Sequence, residues 1–370
     1  MYIYEKRSFK KTGLYIVFDA GSTYEAEYQK GCHHLMEHLI CQTFKDQYDT
    51  LQKYNIDFNA FTSEEHVVVH FTGMEKYFTH DMKKLLIDRV VNKFEDYVTE
   101  ESFENEKKTV YQEYLDTFND PVEGAFMNIL REHFGTYSVI GRGEDILNFS
   151  LADAKKLFKT LFKPSRIIEV GPTKTEGVKV KYKADSKTAT REPAKLKWKK
   201  NYKFDLQTTP EGEKNTVFAM CKKTVSRSDY PYVAISLSML TGGLNSPLYK
   251  EIREKRGLSY FSSGAIERNV NQGILYLTSA TDKAQVDELV KVYENVLKNI
   301  KKYLLKKDFN NEIDAITIMR EEQKLLRFAN CGNLVNKGSM MIPKNLKKIT
   351  YDKVVEVMQK YASEFEIIVR

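Results

Sequence analysis

Two histidines four residues apart enclose a glutamate in the run His34-Leu35-Met36-Glu37-His38. On a helix this spacing stacks both imidazoles on one face, within reach of a single ion. Glu37 precedes the second histidine by one residue and lies beside the ion rather than away from it. Two His, a more distant carboxylate and a water around zinc make a hydrolytic arrangement. The order His-x-x-Glu-His is the reverse of the commoner His-Glu-x-x-His.

A two-His site needs a third protein ligand, and the helical stretch from Glu101 to Phe118 offers one. Phe103, Val110, Tyr111, Tyr114 and Phe118 form its apolar stripe. Glu106 and Glu113 each follow a stripe residue by three positions, so they border that face, and their separation of seven aligns them over two turns. Carboxylates near a buried face are costly unless paired or bound to metal. An exposed, solvated edge is the alternative for both.

The elements that must position these groups fit an ordinary globular chain of 370 residues, 42% hydrophobic and 29% charged. That length suffices for two domains. No apolar run approaches a membrane span, and the first residues lack the pattern of a signal or transit peptide, so a cytoplasmic location with no membrane partner is expected. Cys32, Cys41, Cys221 and Cys331 show neither C-x-x-C spacing nor a disulfide framework, which suits a reducing compartment. Cys32 reads as a packing residue. The net charge of +7 is concentrated between Gly171 and Lys200, where 10 Lys and Arg face 3 acids. With its Pro, Gly and Thr content, this stretch reads as a solvated linker, so no nucleic-acid partner is expected.

Along the chain, Tyr2 to Phe9 and Gly13 to Asp19 read as strands paired across a Lys10–Gly13 turn. A helix follows from Gly31 to Phe44, then one long strand region from Asp57 to Thr72. Helical patterns run from His80 to Tyr97, Glu100 to Phe118, Val122 to Phe134 and Leu151 to Phe162, and Arg166 to Val170 closes the half as a strand. The second half repeats the plan. Thr216–Lys222 and Val233–Leu240 precede a helix starting near Ser246, capped by Asn245 or Ser246, begun by Pro247 and ended by Gly257. Strand-like Tyr260–Ile266 and Gly273–Ser279 lead to helices over 284–305 and 308–326. Lys353 to Val369 mirrors Ala154 to Glu169 as helix, turn and Ile-Ile strand. Such repetition predicts an α+β protein of two similar domains, each a mostly antiparallel mixed sheet covered by helices. The expected divisions are 1–170, a linker over 171–201, and 202–370. All 7 His lie at or before His133, so the second domain has no copy of the metal site.

The pentad, with Glu113 following within Glu106-Lys-Lys-Thr-Val-Tyr-Gln-Glu113, resembles the inverzincin peptidases: pitrilysin, insulysin and the mitochondrial processing peptidase. The compact halves are similar to the short, two-domain members. The resemblance implies that His34, His38 and Glu113 bind one Zn²⁺ per chain, that Glu37 is the catalytic base activating water, and that Glu106 supports the ligands from behind. It implies that the strand with Asn59, Ala60 and Phe61 borders the cleft and pairs with substrate backbone. It further implies that Arg253 and Tyr260, seven apart, grip substrate and steady the transition state.

The implied activity is zinc-dependent endopeptidase cleavage of peptides or unfolded segments inside a closed chamber. Family members enclose substrate between four such domains, and two are present here. A homodimer, or a heterodimer with a related subunit, is therefore expected, the zinc half of one subunit facing the Arg/Tyr half of the other. The competing expectation is a non-catalytic scaffold or partner subunit that keeps the fold.

Overall fold

The computed structural model describes residues 1–8, 10–178, 195–199, 207, 214–268, 271–326 and 340–370. Cys331 and most of the expected linker lie outside the described residues. The chain divides into two units, one of residues 1–117, 137–194 and 322–337, the other of 118–136, 195–321 and 338–370.

In the first unit the strands are β1 (Tyr2–Lys6), β2 (Lys11–Phe18), β3 (Asp57–Thr62), β4 (Val67–Met74) and β5 (Pro164–Gly171). Their order in the sheet is β1-β5-β2-β4-β3. The expected hairpin between the first two strands does not form. Instead β5 lies between them, parallel to β1 and antiparallel to β2. The apolar run Ile167, Ile168 and Val170 is almost wholly buried, which suits an interior strand, while partly exposed β1 takes the edge. The expected long strand from Asp57 breaks into the antiparallel pair β3 and β4, turning at Ser63–His66, where the Ser63 amide donates to the His66 carbonyl at 2.8 Å. That turn leaves β3 as an edge strand.

The helices here are α1 (Cys32–Gln42), α2 (Tyr48–Lys53), α3 (His80–Asn92), α4 (Phe94–Tyr97) and α5 (Glu100–Asn119). They are followed by α6 (Pro121–Phe134), α7 (Gly143–Asn148) and α8 (Leu151–Thr160). Helix α1 packs against β3 and β4, burying Leu35, Met36, Leu39 and Ile40. Four fully buried aliphatic side chains on an 11-residue helix contribute on the order of 6–12 kcal/mol of transfer free energy, so α1 is fixed by its apolar face. Its polar face is free to carry the pentad.

The partition of the chain departs from a cut near residue 170. Helix α6 belongs to the second unit, because Ala125, Phe126, Ile129, Leu130 and Phe134 pack with Phe218, Met220, Ile274 and Ile368. Asp120 caps it, accepting from the Val122 and Glu123 amides, and Pro121 supplies its first turn. Lys195–Lys199, expected as linker, is also part of this unit, with Leu196 in the same cluster.

The second sheet contains β6 (Lys214–Cys221), β7 (Val225–Ser226), β8 (Ser263–Arg268), β9 (Gln272–Asp282) and β10 (Phe365–Val369). The path β10-β6-β9-β8 repeats β5-β2-β4-β3 with every pairing antiparallel. The doubled α+β plan is therefore present in the pairing itself. The apolar stretch Val233–Leu240 is the interior of a helix, Tyr230–Thr241, the counterpart of α1. Among the described residues, no helix is long and apolar enough to cross a membrane.

Candidate metal centre

Helix α1 starts at a sharp corner. Gly31 precedes it with φ 91°, a left-handed conformation that favours glycine, and a side chain there would meet the Ile140 carbonyl and the Ile146 side chain. With no side chain to cap the helix, Glu25 does so from the preceding loop. Its Oε1 accepts from the His33 amide at 2.8 Å and from the Gly31 amide at 3.0 Å, and Oε2 accepts from Gly31 at 3.0 Å. Asp145 accepts from the Lys30 amide at 2.9 Å and is paired with Arg142. Cys32, fully buried, is a packing residue as expected, and burial pushes its thiol up.

From this corner the helix presents His34 and His38 as neighbours, their rings 5.0 Å apart and close to perpendicular. Helix α5 brings Glu113 to both. Glu113 Oε2 lies 3.5 Å from His34 Nε2, and Oε1 lies 3.7 Å from His38 Nε2. One ligand atom from each of the three residues falls within 4.8 Å of the others. Ligand atoms around a tetrahedral zinc, at bonds of ~2.0–2.1 Å, stand about 3.3 Å apart. The observed spacings are close to that, and two imidazoles with one carboxylate are a hydrolytic donor set. Among the described residues, this is the one group of three such side chains so placed.

Glu106 lies behind the set. The seven-residue spacing on α5 places it one ligand back, where its Oε2 is 3.1 Å from His38 Nδ1. That contact leaves Nε2 turned towards Glu113. The other oxygen of Glu106 accepts from Gln42 Nε2 at 2.6 Å. Burial pulls the His34 imidazole down to about 4, assisted by the neighbouring His38, so it is neutral and able to ligate at pH 7. For His38, burial also acts downward, but the Glu106 hydrogen bond and the charges of Glu113 and Glu37 outweigh it, and the net shift is up.

Glu37 is buried beside these candidate ligands, and Thr62 at the end of β3 donates its hydroxyl to Glu37 Oε2 at 2.7 Å. Burial raises the Glu37 carboxyl above its usual range, while Thr62 and His38 oppose that rise. Alternation along β3 puts Phe58, Ala60 and Thr62 on the face of Glu37. Asn59 and Phe61 therefore turn their side chains to the other face, and both are exposed. As an edge strand, β3 keeps backbone groups open on its outer side.

Arg253 and Tyr260 lie in the second unit. Pro247–Tyr249 is a helical turn that continues into a π-helical turn over Lys250–Glu254, and Gly257 follows with φ 63°. The Arg253 guanidinium lies over the Tyr260 ring at 4.2 Å and near Tyr249 at 5.1 Å. Tyr260 is 77% exposed. The two residues are thus brought together as a cation–π pair between the π-helical turn and the segment that follows it.

Thr62, Gln42 and Glu25 were not singled out from sequence. Gln42 carried a usable signal, since it follows His38 by four and shares its helix face. Thr62 carried none, because only the fold of the sheet brings it to α1; Glu25 lies six to eight residues before the amides it caps, but no capping spacing marks it in the sequence.

Both halves of the chain are similar to known proteins. Residues 2–138 match the family described as Insulinase (Peptidase family M16), and residues 148–316 match that described as Peptidase M16 inactive domain. The chain is 20% identical over 301 residues to the uncharacterised zinc protease YmxG of Bacillus subtilis, covering 76% of this chain and 71% of that one. It is 24% identical over 301 residues to an uncharacterised zinc protease of Mycobacterium bovis, covering 76% and 67% respectively. A protease from Helicobacter pylori superposes with a TM-score of 0.77 at 15% identity, covering 100% of this chain and 96% of that chain. A structure described as a peptidase M16 inactive domain from Pseudomonas fluorescens gives 0.72 at 16%, covering 100% and 94%. With both halves of the M16 architecture matched in order, the chain belongs to the insulinase (M16) family of peptidases.

Proposed function

We propose that this protein is a zinc-dependent endopeptidase acting on peptides or unfolded segments, with His34, His38 and Glu113 holding the ion and Glu37 serving as base. The carrying observation is the convergence of these three ligands beside a buried glutamate held by Thr62. Zinc, when bound, polarises a carbonyl and brings the pKa of water towards ~7. Glu37 takes the proton of the attacking water and passes it to the leaving amine. Burial favours this exchange by raising its carboxyl towards the working pH. Thr62 keeps one oxygen occupied, so the other is the one available to the water.

Substrate binding falls to groups outside the ligand set. The open edge of β3 supplies backbone donors and acceptors for an extended peptide laid along Asn59, Ala60 and Phe61, and the Ala60 amide, which donates to Asn59 Oδ1 at 2.9 Å, exchanges that acceptor for a substrate carbonyl. Arg253 and Tyr260 grip the substrate and stabilise the developing oxyanion, supplied by a second subunit of a homodimer or by a related partner.

The test is zinc content per chain together with cleavage of a mixed peptide library, with and without chelator. One zinc per chain and chelator-sensitive cuts are expected. Glu37→Gln should keep the zinc and lose turnover. A protein that binds no zinc, or a Glu37→Gln variant with full activity, would refute the assignment. Zinc bound with no cleavage of any peptide would favour the scaffold or partner-subunit role.

A further inference from the structure

We propose that Gln42 is a positioning residue for zinc, acting through Glu106 on His38. This rests on the metal assignment above and extends it outward by one residue. Glu106 is anchored to α1 at two points one helical turn apart: His38 Nδ1 at 3.1 Å on Oε2, and Gln42 Nε2 at 2.6 Å on Oε1. Two donors on two oxygens fix the plane of the carboxylate as well as its position. With one donor removed, the side chain of Glu106, already 19% exposed, is free to rotate towards solvent.

His38 depends on that restraint more than His34 does. The Nδ1 of His34 is buried with no hydrogen-bond partner among the described residues, so its ring is held by packing. His38 has an acceptor that selects the Nδ1–H tautomer and leaves the Nε2 lone pair for the ion. Gln42 suits the task because it is a neutral donor. It holds Glu106 in place without neutralising the charge that makes the His38 imidazole a stronger ligand. A Lys at this position would donate equally well but would compete with His38 for the same negative charge.

The experiment measures zinc dissociation constants by chelator competition in wild type, Gln42→Met, Glu106→Ala and the double variant, with the Co²⁺ absorption spectrum as a readout of ligand geometry. Gln42→Ala is carried in parallel, since it removes the donor and leaves nothing to overpack. Loss of a direct supporting partner typically weakens metal binding ~10–100-fold. Gln42 acts one bond further out, so Gln42→Met should weaken zinc about three- to tenfold and alter the Co²⁺ spectrum. In the Glu106→Ala background it should add nothing. Unchanged zinc affinity in both folded Gln42 variants would overturn the inference while leaving the metal assignment standing. So would an equal further loss in the Glu106→Ala background, which would mark a merely structural effect. A wild-type protein that binds no zinc would overturn both.

Discussion

Glu25 offers the sharpest test of how α1 is held. Burial pushes its carboxyl up to about 8 against an ordinary 4.5, although the Gly31 and His33 amides and Lys30 oppose the shift. Between those two values the folded protein holds the proton that the unfolded chain releases. Glu25 therefore contributes stability that is complete below 4.5, declines as pH rises, and is gone above 8. A window of about 3.5 pH units at ~1.4 kcal/mol each amounts to roughly 5 kcal/mol at most. The Glu25→Gln variant isolates this contribution. Because Oε1 alone accepts from both Gly31 and His33, a glutamine carbonyl in its place keeps both bonds and loses only the second contact to Gly31. The assay is native-state amide exchange over α1, expressed as protection factors from pH 5 to 9. Tryptophan fluorescence would report on the wrong part of the molecule, since the single Trp, Trp198, belongs to the second unit. In wild type, protection should fall up to tenfold per pH unit across the window, and the Glu25→Gln profile should be flatter by that amount. The difference cancels other titrating groups, including His34. Parallel profiles in the two proteins would refute the reasoning.

Three further outcomes follow from the site. Thr62→Val removes the hydroxyl that donates to Glu37. A hydrogen bond to a charged group contributes ~1.5–3 kcal/mol, so kcat should fall about 10–100-fold with zinc content unchanged, and Thr62→Ser should restore most of it. Glu113→Ala leaves two imidazoles alone, and zinc per chain, measured by atomic absorption after dialysis, should fall well below that of wild type. Mixing His34→Ala with Arg253→Ala protein under conditions of proven subunit exchange should recover part of the cleavage activity. No recovery would rule out a site shared between subunits.

The candidate ligands were legible only in part from local spacing. His34 and His38 share a helix face through the period of 3.6, and Glu106 and Glu113 align on α5 by the same rule, but that spacing leaves an exposed edge open for the two glutamates, and Glu113 was singled out as third ligand by the family resemblance. The duplicated plan could likewise be seen in the repeated helix, turn and Ile-Ile strand that ends each half. Segments read as one piece fared worse where a turn had to be inferred. The run from Asp57 to Thr72 holds no Gly or Pro to mark a break, and the Ser63–His66 turn that divides it is locked by the Gly21–Thr23 amides.

Local patterning dictated which residues could bind an ion and which helix faces would carry them, because those properties repeat within a few residues. Pairing between distant segments dictated the rest. Strand β5 separates β1 from β2 across more than 140 residues of chain, α6 joins a sheet that begins some 80 residues later, and Thr62 reaches Glu37 on α1 from the end of β3. Each of those contacts depends on which buried surfaces fit together, and that competition is settled only when the whole core is packed.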